Sequence, residues 1–145
     1  MFNKILIPVD LEHTESASRA IKLALDEAEI SSAQIFVMTV GPGFGMPLVA
    51  SFFDEETVNR AMDEVSRHLR KFVSESIPEK FHPKTIVTQG NPAEQVLKQA
   101  RLNDIDLIVI SSHDTEFEQV FLGSCSAKVV RHAKCTVFVA KDKKY

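Results

Sequence analysis

The stretch from Leu107 to Ala140 reads LIVISSHDTEFEQVFLGSCSAKVVRHAKCTVFVA, in the order strand, loop, helix, strand. Leu107 to Ile110 is an unbroken apolar run, as expected of a parallel strand buried on both faces, and Val137 to Val139 repeat that character after the helix. Two parallel strands joined by a helix make one right-handed crossover. The crossing segment carries Gly123, Ser124, Cys125 and Ser126 just before Ala127, Val129 and Val130 begin a helical apolar face. Small residues with free N–H groups at a helix start can hold an anion, usually a phosphate. They serve equally as a turn at Gly123 and a cap at Ser124.

Working outward, the rest of the chain repeats this alternation. Lys4 to Val9 predicts a central buried strand that delivers Asp10 to its carboxyl end, the edge of an open α/β sheet where ligands bind. Asp10 could also satisfy loop N–H groups at the start of the next helix. Ala17, Ile21, Ala24, Leu25 and Ala28 follow helical spacing, and Ile35 to Val40 predicts a second strand closed by Gly41-Pro42-Gly43. Phe44 to Phe53 is apolar without a period and predicts a loop over the ligand edge. Val58, Met62, Val65, Leu69, Phe72 and Val73 then mark an amphipathic helix.

Lys84 to Thr88 predicts the third strand. Gly90-Asn91-Pro92 follows, with Asn91 as N-cap and Pro92 at the first helical position. Ala93, Val96, Leu97 and Ala100 form that helix's inner face. The order β-α-β-α-β-α-β-α-β predicts an open, doubly wound, five-stranded parallel sheet with helices on both faces, as one α/β domain over residues 1–145.

Composition narrows the function. The chain has 145 residues, 44% of them hydrophobic, and a net charge of -3, which offers no electrostatic footprint for nucleic acid or an anionic membrane. The apolar start is too short for a signal-peptide core, and no apolar run reaches membrane-spanning length. Cys125 and Cys135 flank one helix; at ~1.5 Å per helical residue they stand beyond disulfide reach. Free thiols of this kind point to the cytoplasm. Neither has a CxxC partner or a histidine cluster, so no metal site is expected. There is no GxxxxGK[ST] loop and no nucleophile and base pair, so little or no ATP hydrolysis is expected. A phospho-receiver would need an acceptor carboxylate after the third strand, where Val87-Thr88-Gln89-Gly90 offers none.

Three segments together resemble the universal stress protein family: Ile5-Leu6-Ile7-Pro8-Val9-Asp10, Gly90-Asn91-Pro92, and Leu122-Gly123-Ser124 through Val130-Arg131-His132-Ala133-Lys134-Cys135. The family pattern that accompanies ATP binding is a glycine, two residues, a second glycine, nine residues, then Gly-Ser or Gly-Thr. Here the first two glycines fall on Ser111 and Asp114, and Thr115 to Leu122 is eight residues. Those changes restrict backbone approach to the outer phosphates, and Asp114 adds a like charge. The resemblance implies an adenine-nucleotide pocket for ATP, ADP or AMP. Pro8, Val9 and Asp10 would lie beside the adenosine and Val40 would contact adenine through its backbone. Ser111, Ser112 and His113 would line the ribose and phosphates, while Gly123, Ser124, Cys125 and Ser126 would hold the phosphates. It further implies a stress-response module that binds rather than catalyses, paired as a homodimer through the strand Thr136 to Ala140. The altered glycines leave open a second reading, an interaction protein of the same fold that works without nucleotide.

Overall fold

The computed structural model describes residues 1–41, 54–112 and 124–141. The expected loop over Phe44 to Phe53 and the candidate residues His113 and Gly123 lie outside them. Ile5, Leu6, Ile7, Leu107, Ile108 and Val109 show no exposed surface, because the two strands that hold them are covered on both faces. These are β1 (Lys4–Pro8) and β4 (Leu107–Ser111), and with β2 (Gln34–Val40), β3 (Lys84–Thr88) and β5 (Thr136–Ala140) they form one sheet in the order β3-β2-β1-β4-β5. Every pairing is parallel. The chain leaves β1 toward β2 on one side and later returns to β4 on the other, so a topological switch point lies between β1 and β4.

Alternate residues of the strands face opposite layers, and the helices divide accordingly. Ile5, Ile7, Ile35, Val37, Leu107 and Val109 pack against α1 (Ser18–Ser31) and α2 (Glu55–Ser76) through Ala20, Ala24, Leu69 and Val73. Leu6, Phe36, Met38, Ile108 and Ile110 pack against α3 (Pro92–Leu102) and α4 (Ser124–His132) through Ala93, Val96 and Val129. The expected fold is the observed one.

Local chemistry explains where the elements start. The first turn after β1, Thr14–Ala17, is 3₁₀ and only then does α1 begin. The Ser16 hydroxyl donates to His13 O at 2.7 Å and the Ser18 hydroxyl to Glu15 O at 3.2 Å, local bonds that compete with the α pattern. Asp54 caps α2 by accepting from Thr57 N–H at 2.7 Å. Hydrogen bonds from Thr57, side chain first and backbone second, hold the exposed Asp54 carboxyl below its usual range. Asn91 caps α3 in the same way at 3.1 Å, with Pro92 behind it as expected. Gly90 has φ 121°, a conformation that side chains disfavour, and it makes the turn into that cap. At the far side of the sheet β5 is an edge strand, with Phe138 edge-on to Phe2 at 5.9 Å between ring centroids.

Candidate functional site

A cavity of about 580 Å³ opens at the carboxyl edge of the sheet over the switch point. Its floor comes from the ends of three strands. Pro8 ends β1 and Val9, Asp10, Leu11 and Glu12 follow it, Met38 to Val40 end β2 with Gly41 next, and Ile110 and Ser111 end β4. Ser16 and Ala17 close one side, Val65 and His68 of α2 another, Pro92 and Val96 of α3 a third, and Cys125 and Ser126 of α4 a fourth.

The strand ends diverge for a definite reason. The β1–β2 register ends at the pair Pro8 and Met38, after which Val9 N–H still donates to Met38 O at 2.8 Å. Thr39 then turns its buried hydroxyl to Val9 O at 2.9 Å, capping β1 with a side chain where a ladder bond would continue. On the other flank Gly41 N–H donates to Thr88 O at 2.7 Å. Because successive residues of a parallel strand bond to opposite neighbours, the peptide groups of Val40 face the crevice that β1 has left. Donor and acceptor stand together there, as an aminopurine edge requires. Gly41 also lets α2 come down on the site: a Cβ at this position would stand 2.7 Å from Met62 Sδ.

The expected site residues divide into groups. Pro8, Val9, Asp10, Val40, Ser111, Cys125 and Ser126 all line the cavity, whereas Ser112 and Ser124 do not. Ser112 is drawn to the sheet edge, where its N–H donates to Ala140 O at 3.0 Å. Ser124 is the first residue of α4 and is exposed. Asp10 does hold its loop, since its Oδ1 accepts Glu12 N–H at 2.9 Å and its carbonyl accepts His13 N–H at 3.0 Å. Ser126 departs from the expected role. Its hydroxyl donates to Ser111 O at 3.0 Å, tying α4 to β4, so its hydroxyl proton is not free for a phosphate. Ser111 lines the cavity, and its Oγ is buried with no hydrogen-bond partner among the described residues, a polar group left unmet behind the cavity surface. Burial pushes the Cys125 thiol up, against a smaller opposing pull from Lys128, which makes it a poor nucleophile. Among the described residues no group of three His, Cys, Asp or Glu side chains could hold a metal ion.

Sequence reasoning missed Glu12, Ser16, Thr39, Val65 and His68. Helix length carried a signal for the last two. At ~1.5 Å per residue, α2 with its 22 residues spans about 33 Å, while β2 with seven spans about 23 Å at ~3.3 Å per residue. The difference of about 10 Å, roughly seven helical residues, lets the first third of α2 overhang the sheet's carboxyl edge, and Val65 and His68, three residues apart on one face just beyond that overhang, line the cavity.

The universal stress protein family model matches residues 1–141. The chain belongs to the universal stress protein family. Two universal stress proteins of Methanocaldococcus jannaschii are similar to it, one 28% identical over 99% of this chain and 97% of its own length, the other 31% identical over 99% and 85%. The solved structure of the first superposes with a TM-score of 0.78 at 25% identity, covering 100% of this chain and 99% of that one. Two more distant family structures share the fold. One, from Archaeoglobus fulgidus, was solved in complex with dAMP (TM-score 0.63, 20% identity, covering 96% of this chain and 98% of that one). The other was solved in complex with cAMP (TM-score 0.61, 18% identity, covering 97% of each chain). Among the described residues no helix is long and apolar enough to cross a membrane.

Proposed function

We propose that this family member binds an adenine nucleotide (ATP, ADP or AMP) in the cavity at the carboxyl edge and acts in stress response as a dimeric binding and signalling module of the cytoplasm. The observation that carries the reading is the meeting, in the lining of one cavity, of Val40's peptide groups and Ser111, whose buried hydroxyl has no partner among the described residues. The first suits the base and the second a ribose or phosphate oxygen. Pro8, Val9, Met38 and Ile110 supply apolar contact for a planar ring, and Asp10 is an acceptor for ribose hydroxyls. The N–H groups of Ser124, Cys125 and Ser126 belong to the first turn of α4, where backbone donors lack helical partners and favour an anion. The complexes of two relatives with dAMP and cAMP support the choice of base. Free Cys125 and Cys135 suit a reducing compartment. The edge position of β5 and its apolar Val137, Phe138 and Val139 support pairing of two copies there; a dimer in sedimentation at micromolar concentration, dissociated by Phe138→Pro, is the expected result.

Binding itself is tested by calorimetry with AMP on the natural chain and on Ser111→Leu, which removes the hydroxyl and fills the cavity. The expected result is saturable binding weakened about tenfold or more by the substitution, as follows from losing a hydrogen bond of ~1.5 kcal/mol. Absence of AMP binding at millimolar concentration would leave a nucleotide-independent interaction protein in its place.

A further inference from the structure

We infer that the cavity selects adenosine ligands of low negative charge, adenosine and its monophosphate ahead of the di- and triphosphate, and that the Glu12 carboxylate sets this selection. The inference rests on the adenine-site reading and adds to it the charge class of the ligand.

Three observations carry it. The described residues lining the cavity include two carboxylates, Asp10 and Glu12, one imidazole, His68, and no lysine or arginine. Sites for triphosphates gather cations, because a planar guanidinium or an ammonium offsets charge that backbone donors alone do not. Neither carboxylate is paired with a cation among the described residues. Among the described residues the ion pairs are His13 with Glu15, Lys22 with Asp26, Arg60 with Glu56, Arg67 with Glu64, Lys80 with Glu29 and Lys128 with Glu94, and none includes Asp10 or Glu12. The cation of α4 that acts electrostatically on Cys125 is Lys128, and its ammonium lies 3.4 Å from the Glu94 carboxylate.

The donors that remain are modest. The N-terminus of α4 contributes about half a unit of positive charge, enough to favour one phosphate group and too little for three. The Ser126 hydroxyl proton is already held by Ser111 O. Asp10 is further occupied by its own loop, through Glu12 N–H at 2.9 Å. Glu12 is exposed at the cavity rim, and its side chain accepts no hydrogen bond from the described residues. A polyphosphate extending past the rim meets this charge through water, where repulsion is weak per pair but adds with each phosphate and acts within a screening length of about 8 Å at physiological salt. Neutral adenosine escapes the penalty entirely.

Calorimetry with adenosine, AMP, ADP and ATP in the absence of magnesium, at about 0.05 M and 0.5 M salt, tests this on the natural chain, on Glu12→Gln and on Glu29→Gln. Glu29 pairs with Lys80 away from the cavity, so its substitution changes net charge equally at a distant place. The expected result at low salt is about tenfold weaker binding of ATP than of AMP. That gap should shrink at high salt, narrow about threefold in Glu12→Gln, and stay within error in Glu29→Gln. ATP binding as tightly as AMP, or a gap indifferent to both salt and Glu12→Gln, would overturn the charge selection while leaving the adenine site in place. Failure of adenosine and AMP to bind at millimolar concentration would overturn both.

Discussion

The two edges of the sheet are built on opposite principles. At the amino edge the polar groups are tied to one another. The Asp106 carboxylate accepts Asn3 N–H at 2.8 Å and Lys4 N–H at 3.0 Å, Gln34 N–H donates to Asn3 O at 2.9 Å, and the Gln34 side chain donates to His82 O at 2.8 Å. At the carboxyl edge the strands part, side chains stand in for ladder bonds, and a cavity remains. Both buried side-chain oxygens without a partner among the described residues, Thr88 Oγ1 and Ser111 Oγ, sit on the last residue of a strand at this edge. The difference teaches that stability and binding are allotted to opposite ends of the same strands. An edge whose polar groups bond one another offers little to a ligand, while an unmet buried hydroxyl costs about 1 to 3 kcal/mol until something meets it.

The largest effect on this contrast is expected from Asp106→Ala. It leaves two backbone donors of the first strand without their charged acceptor and should lower stability by about 2 to 3 kcal/mol in urea unfolding. AMP affinity should stay within a factor of two. A large loss of affinity at equal stability would mean that the two edges are coupled.

How much of this was legible in the sequence follows from where each signal originates. The strands could be read because burial on both faces leaves apolar runs such as Leu107 to Ile110, and α3 because Asn91 and Pro92 announce its start. Pro8, Val9, Asp10, Val40 and Ser111 were placed because a strand's end is a position along the chain. Val65 and His68 were not, since a helix longer than the neighbouring strand shows that it overhangs the sheet without showing which of its residues turn to the site. The hydroxyl of Ser126 misled for a related reason: its acceptor, Ser111 O, is fifteen residues away, and nothing in local spacing reveals that pairing.

An effect of intermediate size should distinguish the edges through the two cysteines. Cys125 lines the cavity, whereas Cys135 precedes β5 at the amino edge. Burial raises both thiols above their usual range, so both should alkylate slowly at neutral pH and faster as pH rises past that range, where thiolate forms. AMP at ten times its Kd should slow Cys125 about tenfold, in line with the fall in free protein, and leave Cys135 alone. Peptide mass spectrometry reads the two separately, and equal protection would place the ligand elsewhere or imply a global change.

The smallest expected effect is a gain. Thr88→Val removes a buried hydroxyl that has no partner among the described residues while keeping the shape of the side chain, and should stabilise the fold by about 1 kcal/mol with no loss of AMP binding, since Thr88 lies off the described cavity lining. Destabilisation would show that the hydroxyl has a partner in solution.

The most direct measurement of an open edge opposed to a closed one is an AMP titration followed residue by residue in amide NMR spectra. The amides of Val9 to Glu12, Val40, Gly41, Ser111 and Ser124 to Ser126 should shift together with a single Kd, while those of Asn3, Lys4, Gln34 and Asp106 hold still. Shifts centred on the amino edge, or none anywhere at millimolar AMP, would contradict a nucleotide site at the carboxyl ends of the strands.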